Sequence, residues 1–362
     1  MIALLTEERA KKCLSLLKER AEGSCPVFSE TFLELGNVGT VCVKGYHMEA
    51  REMVFRQAGW CVVESCGEPA ATIYFWQEKG FKDFHKSVLN LDFDLEEGDD
   101  YLLLARKDEE GRMNIFAEIE YAGGAIKAWD GKDYFFGAEK MDPESLLRSG
   151  HLFVKDLYRI LDTPSTAMAH SACVGIDGTG VLICARGGRG KSTLAVSALL
   201  RGFDFISDDY TILEQEGETL FASPLYSIIT LSPEMYNRLY DELAPARFVA
   251  DNARKNKYVF EMSAWKDQVK GRYPIRACLY PEIRPDSKCG VFPCSQLEKG
   301  RAITNLVHST QMQMLDQGNS FNSRKFIGIL QGLSFYKIIL SADIFENVEC
   351  LRDFIIKLKT NN

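Results

Sequence analysis

The chain has 362 residues, more than a usual single domain, and its 46% hydrophobic and 26% charged composition suits ordinary globular cores, so two domains are expected. No apolar run approaches the roughly 20 residues that cross a bilayer, which speaks for a soluble protein that engages no membrane. The formal net charge of −8 argues against a dedicated nucleic-acid binder, and the 11 cysteines, odd in number and scattered without a C-x-x-C pair, argue against a zinc or thiol-redox site.

At the amino terminus only Ile2 to Leu5 are apolar before Glu7, Glu8 and Arg9 intervene, too short for a signal-peptide core, so a cytoplasmic protein with buried free thiols is expected. Residues 5 to 21 place Leu5, Ala10, Cys13, Leu14 and Leu17 at helical spacing and predict an opening amphipathic helix. Val41 to Val43, Trp60 to Val63, Thr72 to Trp76, Tyr101 to Ala105, Ile115 to Ile119 and Ala125 to Trp129 are short, aromatic and β-branched, and predict strands. Asp130-Gly131, between AIKAW and KDYFF, predicts a hairpin because glycine tolerates the positive φ such turns need. The run Asp92 to Asp100 lacks the spacing of a calcium loop and reads as a solvated acidic loop. Residues 1 to 140 thus form a β-rich domain without a catalytic motif. Asp142-Pro143 then predicts the start of a helix running to about 161, with a capping carboxylate and proline at its first position, inside a second domain of residues 141 to 362.

The most informative stretch is HSACVGIDGTGVLICARGGRGKSTLAVSALLRGFDFISDDYTIL. Ser171 to Ile176 and Val181 to Cys184 read as a hairpin about Asp177-Gly178-Thr179-Gly180, whose second strand leads into a glycine loop and a helix from Lys191 to about Arg201, ended by Gly202. The octet Ala185-Arg186-Gly187-Gly188-Arg189-Gly190-Lys191-Ser192 matches a P-loop with Ala for the first Gly, and Thr193 follows it. Gly188 and Gly190 stand where bare amides are expected to approach phosphate, and the helix start adds its positive dipole end. Lys191 would reach the β- and γ-phosphates and Ser192 a Mg2+ ion, so the cofactors implied are ATP and Mg2+, bound by Gly187, Gly188, Arg189, Gly190, Lys191, Ser192 and Thr193. Strand and helix flank the motif, as a functional loop requires. Arg186 and Arg189 either add charge to the pocket or are simply solvated.

Phe203 to Ser207 is the next predicted strand, and Asp208 and Asp209 follow it, one helix and one strand after Lys191. Such a path returns the chain to the phosphate edge of the sheet, where one carboxylate can hold metal while the other deprotonates an acceptor hydroxyl. An Asp-Asp turn capping the strand is the plainer reading. Transfer to a bound acceptor is favoured over hydrolysis, because no later segment supplies the metal-binding Asp of a switch. Further on, Tyr210 to Leu213 and Leu220 to Ala222 predict a hairpin about Glu216-Gly217; Ile275 to Tyr280 and Phe335 to Leu340 predict strands; Pro233 to Leu243 and Leu351 to Leu358 predict helices.

His170 to Leu213 resembles the catalytic domain of HPr kinase/phosphorylase, a P-loop serine kinase family that shares its plan with phosphoenolpyruvate carboxykinases. The features are His170 ahead of the hairpin, the loop ending Gly190-Lys191-Ser192, and the stretch Arg201-Gly202-Phe203…Ser207-Asp208-Asp209. The resemblance implies an α/β fold with α+β character, Asp208 as acid/base toward an acceptor serine, Lys191 as a catalytic cation, Asp209 and Ser192 on the metal, and His170 lining the phosphate site. Without it, a histidine beside a strand is more often a satisfied structural residue. Lys257 falls where relatives often carry a basic residue before a strand, which implies a lysine that steadies the transferred phosphoryl; read from the residue alone, a surface lysine is the more usual case. The family's downstream Arg/Gly-rich signature is absent between Leu213 and Arg276, and the first 140 residues are unlike its amino-terminal domain, which marks a divergent member.

The expected activity is transfer of the γ-phosphoryl group to a serine of a peptide or small protein partner, with residues 25 to 140 as a recognition platform and no nucleic-acid partner. A homo-oligomer is compatible with the sequence. Two other readings stand beside it: a small-molecule kinase of the shikimate or adenylylsulfate type, with Arg247 and Arg254 as candidates for a lid, and a non-enzymatic nucleotide sensor.

Overall fold

The structure is a computed structural model that describes residues 2–24, 29–64, 67–79, 101–109, 112–122, 125–139, 151–244, 247–252, 256–314 and 323–360. The acidic run Asp92 to Asp100, the expected helix start at Asp142-Pro143 and Arg254 lie outside the described residues.

The first part comprises β1 (Ile2–Leu5), α1 (Glu7–Ser24), β2 (Ser29–Glu34), β3 (Thr40–Gly45), α2 (Ala50–Ala58), β4 (Val62–Val63), β5 (Ala71–Gln77), β6 (Tyr101–Glu109), β7 (Arg112–Ala122), β8 (Ala125–Trp129) and β9 (Asp133–Ala138). The strands form a nine-stranded mixed sheet in the order β1-β6-β7-β8-β9-β5-β3-β2-β4. Strand alternation divides its two faces. Tyr74, Trp76 and Phe135 point into a core with Cys13, Leu14 and Leu17 of α1. Ile73, Phe75, Tyr134 and Phe136 point the other way, to Met53 and Val54 of α2. The β8–β9 hairpin turns at Gly131 with φ 102°.

Sequence and structure differ here in three places. Leu5 belongs to β1, paired parallel with Ala105, so the opening helix starts only at Glu7. Trp60 lies in a 3-10 turn over Gly59–Cys61, and only Val62–Val63 of that expected strand pairs. The region is less purely β than expected, because α2 covers one face of the sheet.

The second part runs α3 (Val154–Leu161), β10 (Thr166–Ala169), β11 (Ala172–Ile176), β12 (Thr179–Ile183), α4 (Lys191–Leu200), β13 (Asp204–Ser207), β14 (Thr211–Glu216), β15 (Thr219–Pro224), β16 (Ile228–Leu231), α5 (Pro233–Arg238), β17 (Arg247–Asn252), β18 (Lys257–Glu261), β19 (Tyr273–Ile283), β20 (Gly290–Pro293), α6 (Gln296–Met314), α7 (Ser323–Leu330), β21 (Ser334–Leu340) and α8 (Ile344–Thr360). Phe153 has φ 55° and precedes α3, so residues 151 to 153 are not helical as expected. The helix expected from Pro233 to Leu243 ends at Arg238.

A second mixed sheet has the order β10-β14-β15-β19-β12-β11-β13, with β21 beside β19 and β20 beside β21; β16-β18-β17 form a third. The fold is therefore mixed α/β with several mixed sheets. Helix α4 is apolar almost all round because it lies between this sheet and α8, where Leu194, Ala198 and Leu199 share a core with Val348, Leu351 and Ile355. Another core joins the two parts: Leu33, Val54 and Phe75 cluster with Tyr210, Ile212, Tyr226 and Val259. Among the described residues no helix is long and apolar enough to cross a membrane.

Candidate functional site

β12 runs parallel to β19, and β19 to β21. β11 is antiparallel to both β12 and β13, so β13 runs with β12. Four strands thus end at one edge of the sheet, and the loop 184 to 190 and the pair Asp208-Asp209 both emerge there. Open α/β sheets bind ligands at such carboxyl ends.

The loop is pinned at its start by the Cys184 amide, which donates to the Leu279 carbonyl at 2.9 Å. Gly188 and Gly190 have φ 76° and 84°, left-handed values that L side chains rarely take. A Cβ on Gly190 would also come within 2.9 Å of Leu340 Cδ1, whereas Gly187 and Gly188 border open space. Glycine at 188 is therefore dictated by conformation, at 190 by conformation and by crowding, and at 187 by neither. Gly190 caps α4, accepting from the Leu194 amide at 2.9 Å. Arg186, Gly187, Gly188 and Arg189 are exposed, Ser192 and Thr193 are half-buried in the first turn, and Lys191 is the first helical residue.

Lys191 is 5% exposed and turns back across the strand ends. Its Nζ donates to Asp209 Oδ1 at 2.9 Å and lies 3.5 Å from Asp208 Oδ1. Ser192, in the first turn of α4, acts to lower the pKa of Asp208. Asp209 is in the left-handed region at φ 63°, a conformation uncommon outside glycine that aspartate tolerates better than most residues. Its Oδ2 accepts from Thr230 Oγ1 at 3.2 Å, and Thr230 accepts from Lys257 Nζ at 3.1 Å. A buried hydroxyl cluster fixes the floor: Ser171 Oγ donates to Thr211 Oγ1 at 2.9 Å, and Ser207 Oγ lies 2.6 Å from the same oxygen. This ties the β10–β14 pair to the β11–β13 pair just where His170 and Asp208 leave their strands.

The two carboxylates are driven apart electrostatically. Burial raises the pKa of Asp208, the charge of Asp209 adds to this, and Lys191 opposes it. Burial also acts upward on Asp209, but Lys191, then His170 and Lys257, hold it well below the usual range. Lys191 keeps its proton: burial alone would lower its pKa, and the two carboxylates raise it. Burial, with Lys191, depresses His170 to about 3, so the imidazole is neutral at pH 7. Its ring meets Tyr210 edge-on at 5.6 Å, and its backbone amide donates to Thr310 Oγ1 at 2.9 Å.

The expected residues Gly187, Gly188, Arg189, Gly190, Lys191, Ser192, Thr193, Asp208 and Asp209 are brought to one sheet edge, and His170 lies within electrostatic reach of Lys191 and Asp209. Lys257 joins them through Thr230, a residue the sequence analysis did not single out. In LFASPLYSIITLSP, Thr230 is one hydroxyl in an apolar strand, and no local signal distinguishes it. Arg247 is on β17, and its side chain lies outside the described residues.

The donor set suits a magnesium nucleotide. Two buried polar atoms of the cluster, Asp208 Oδ2 and His170 Nδ1, have no hydrogen-bond partner among the described residues, and a buried polar atom of that kind calls for a ligand or water. No group of three or more His, Cys, Asp or Glu side chains that could hold a metal occurs among the described residues.

No family model and no curated protein matches the sequence. Among solved structures, the chain is similar to the HPr(Ser) kinase/phosphatase from Coxiella burnetii, at 15% identity over 53% of this chain and 98% of that chain, with a TM-score of 0.29. A likeness at that score is weak.

Proposed function

We propose that this chain is an ATP- and Mg2+-dependent kinase, a divergent relative of the HPr kinases, that transfers the γ-phosphoryl group to a serine hydroxyl of a peptide or small protein. The observation that carries the reading is Lys191, first residue of a helix entered from a glycine loop, held against two carboxylates at the end of β13, which runs parallel to β12 with β11 between them.

In this reading the amides of Gly187 to Thr193 donate to phosphate oxygens, where the positive end of α4 favours anions. Lys191 leaves the carboxylates for the β- and γ-phosphates. Ser192 and Asp209 would hold Mg2+, which when bound would neutralise phosphate charge. Asp208, whose raised pKa suits proton transfer, takes the proton of the serine hydroxyl as its oxygen bonds to the γ-phosphorus. The bond from that phosphorus to the β–γ bridging oxygen breaks, and ADP is the leaving group. Neutral His170 lines the phosphate site and offers a hydrogen bond without adding charge. Residues 1 to 140 serve as the recognition domain and 141 to 362 as the catalytic domain.

The test is transfer of labelled γ-phosphate from ATP and Mg2+ into peptides and small proteins encoded beside this gene. Label on a serine of such a partner is the expected result. ATP binding that requires Lys191, without label on any peptide or protein, would remove the serine acceptor and leave a small-molecule acceptor or a nucleotide sensor.

A further inference from the structure

We propose that Thr230 is a positioning residue of this site, fixing Asp209 by a direct hydrogen bond and linking it to Lys257; the catalytic part of the claim rests on the phosphotransfer reading above. Thr230 is 7% exposed, and its hydroxyl stands between Asp209 Oδ2 at 3.2 Å and Lys257 Nζ at 3.1 Å. An ammonium can only donate, so the single hydroxyl proton of Thr230 goes to Asp209 and the chain of bonds has one direction, from Lys257 through Thr230 to the carboxylate.

The two oxygens of Asp209 thereby have separate partners: Oδ1 takes Lys191 and Oδ2 takes Thr230. When phosphate draws Lys191 away, Oδ1 is released while Oδ2 stays held. The carboxylate then presents one free oxygen in a fixed direction, which is what a metal-binding or orienting carboxylate requires.

The support behind Thr230 is strand rather than loop. β16 pairs with β18, Thr230 opposite Val259 and Leu231 opposite Tyr258, which brings Lys257 alongside. The start of β16 is tied to the first part of the chain, where the Ser227 amide donates to the Gln57 carbonyl at 2.7 Å and the Gly59 amide to Ser227 Oγ at 2.9 Å. The far end of β18 is tied by the Arg56–Glu261 ion pair. Groups held on such elements keep their geometry better than groups on loops.

The test compares Thr230→Val, which keeps the shape and removes the hydroxyl, with Thr230→Ser, which restores it, after thermal melting has shown both to be folded. Crystal structures of the wild type and both variants read the contact without any need for activity. The Asp209 carboxylate is expected to turn in T230V and to keep its place in T230S. Calorimetric titration with ATP, with and without Mg2+, reads the consequence as a ratio within each protein: the gain in affinity from Mg2+ falls by about tenfold or more in T230V, as for other hydrogen-bond partners of metal ligands. An Asp209 carboxylate unmoved in T230V, or a gain from Mg2+ that T230V leaves intact, overturns the proposal. If Asp209 turns in T230V while the wild type binds no ATP at all, the Thr230 contact stands and the kinase reading falls.

Discussion

The Nζ of Lys191 lies 2.9 Å from Oδ1 of Asp209, and any phosphate that recruits this lysine must break that ion pair. The described structure thus holds its principal cation in reserve on the carboxylates that a metal would later occupy. Exchange of lysine for metal couples the two ligands: ATP should bind more tightly with Mg2+, and Mg2+ only weakly without ATP.

Lys191→Met removes the cation and leaves two buried carboxylates facing each other. Loss of one partner from a buried ion pair costs about 3–5 kcal/mol, so denaturant unfolding at pH 7 should show a destabilisation of that order. Lowering the pH should recover part of it, because both acids then bind protons more readily in the folded than in the unfolded chain. ATP binding, read by calorimetry, should be lost.

His170 gives the wild-type protein a defined acid sensitivity. Its pKa falls from 6.5 to about 3 on folding, so below pH 6.5 the unfolded chain binds a proton that the folded chain refuses. Its contribution is complete above pH 6.5 and is lost as pH falls toward 3, with a slope of at most about 1.4 kcal/mol per pH unit. The slope of stability against pH between 6 and 4 should flatten in His170→Gln; an unchanged slope would mean the imidazole is not held neutral.

The three loop glycines should answer differently to alanine. Gly190→Ala meets both the left-handed φ and Leu340 and should cost about 1–3 kcal/mol. Gly188→Ala meets only the φ and should cost about 1–2 kcal/mol. Gly187→Ala meets neither, so its melting curve should stay within about 0.5 kcal/mol of the wild type.

Arg56 and Glu261 form an ion pair between α2 and β18, with side chains only 13% and 11% exposed. Arg56→Met strands a buried carboxylate and should destabilise by about 3 kcal/mol or more, while Arg56→Met with Glu261→Leu should recover most of the loss. Equal losses in the single and double variants would show that packing, rather than charge, joins the two parts here.

What the sequence made legible was local. The glycine loop, Lys191 and the Asp208-Asp209 pair could be found because residue type, spacing and flanking strand and helix all occur within one short stretch. Thr230 and Lys257 could not be joined to them, since their link to Asp209 depends on β16 pairing with β18 and on that sheet meeting the loop. β1 escaped notice for a similar reason: its four residues pair with Leu102 to Ala105, far along the chain, and only that pairing marks them as strand. Trp60 looked like strand by composition, but the chain forms a 3-10 turn over Gly59–Cys61 directly after α2.

The most direct measurement is single-turnover transfer of labelled γ-phosphate to a serine-bearing acceptor by the wild type and Asp208→Asn, with ATP affinity measured on both. Kinase action with Asp208 as base predicts ATP binding in both proteins and transfer at least about 100-fold slower in the variant. Transfer at the wild-type rate in Asp208→Asn would contradict the assigned base, and absence of ATP binding in the wild type would contradict the kinase itself.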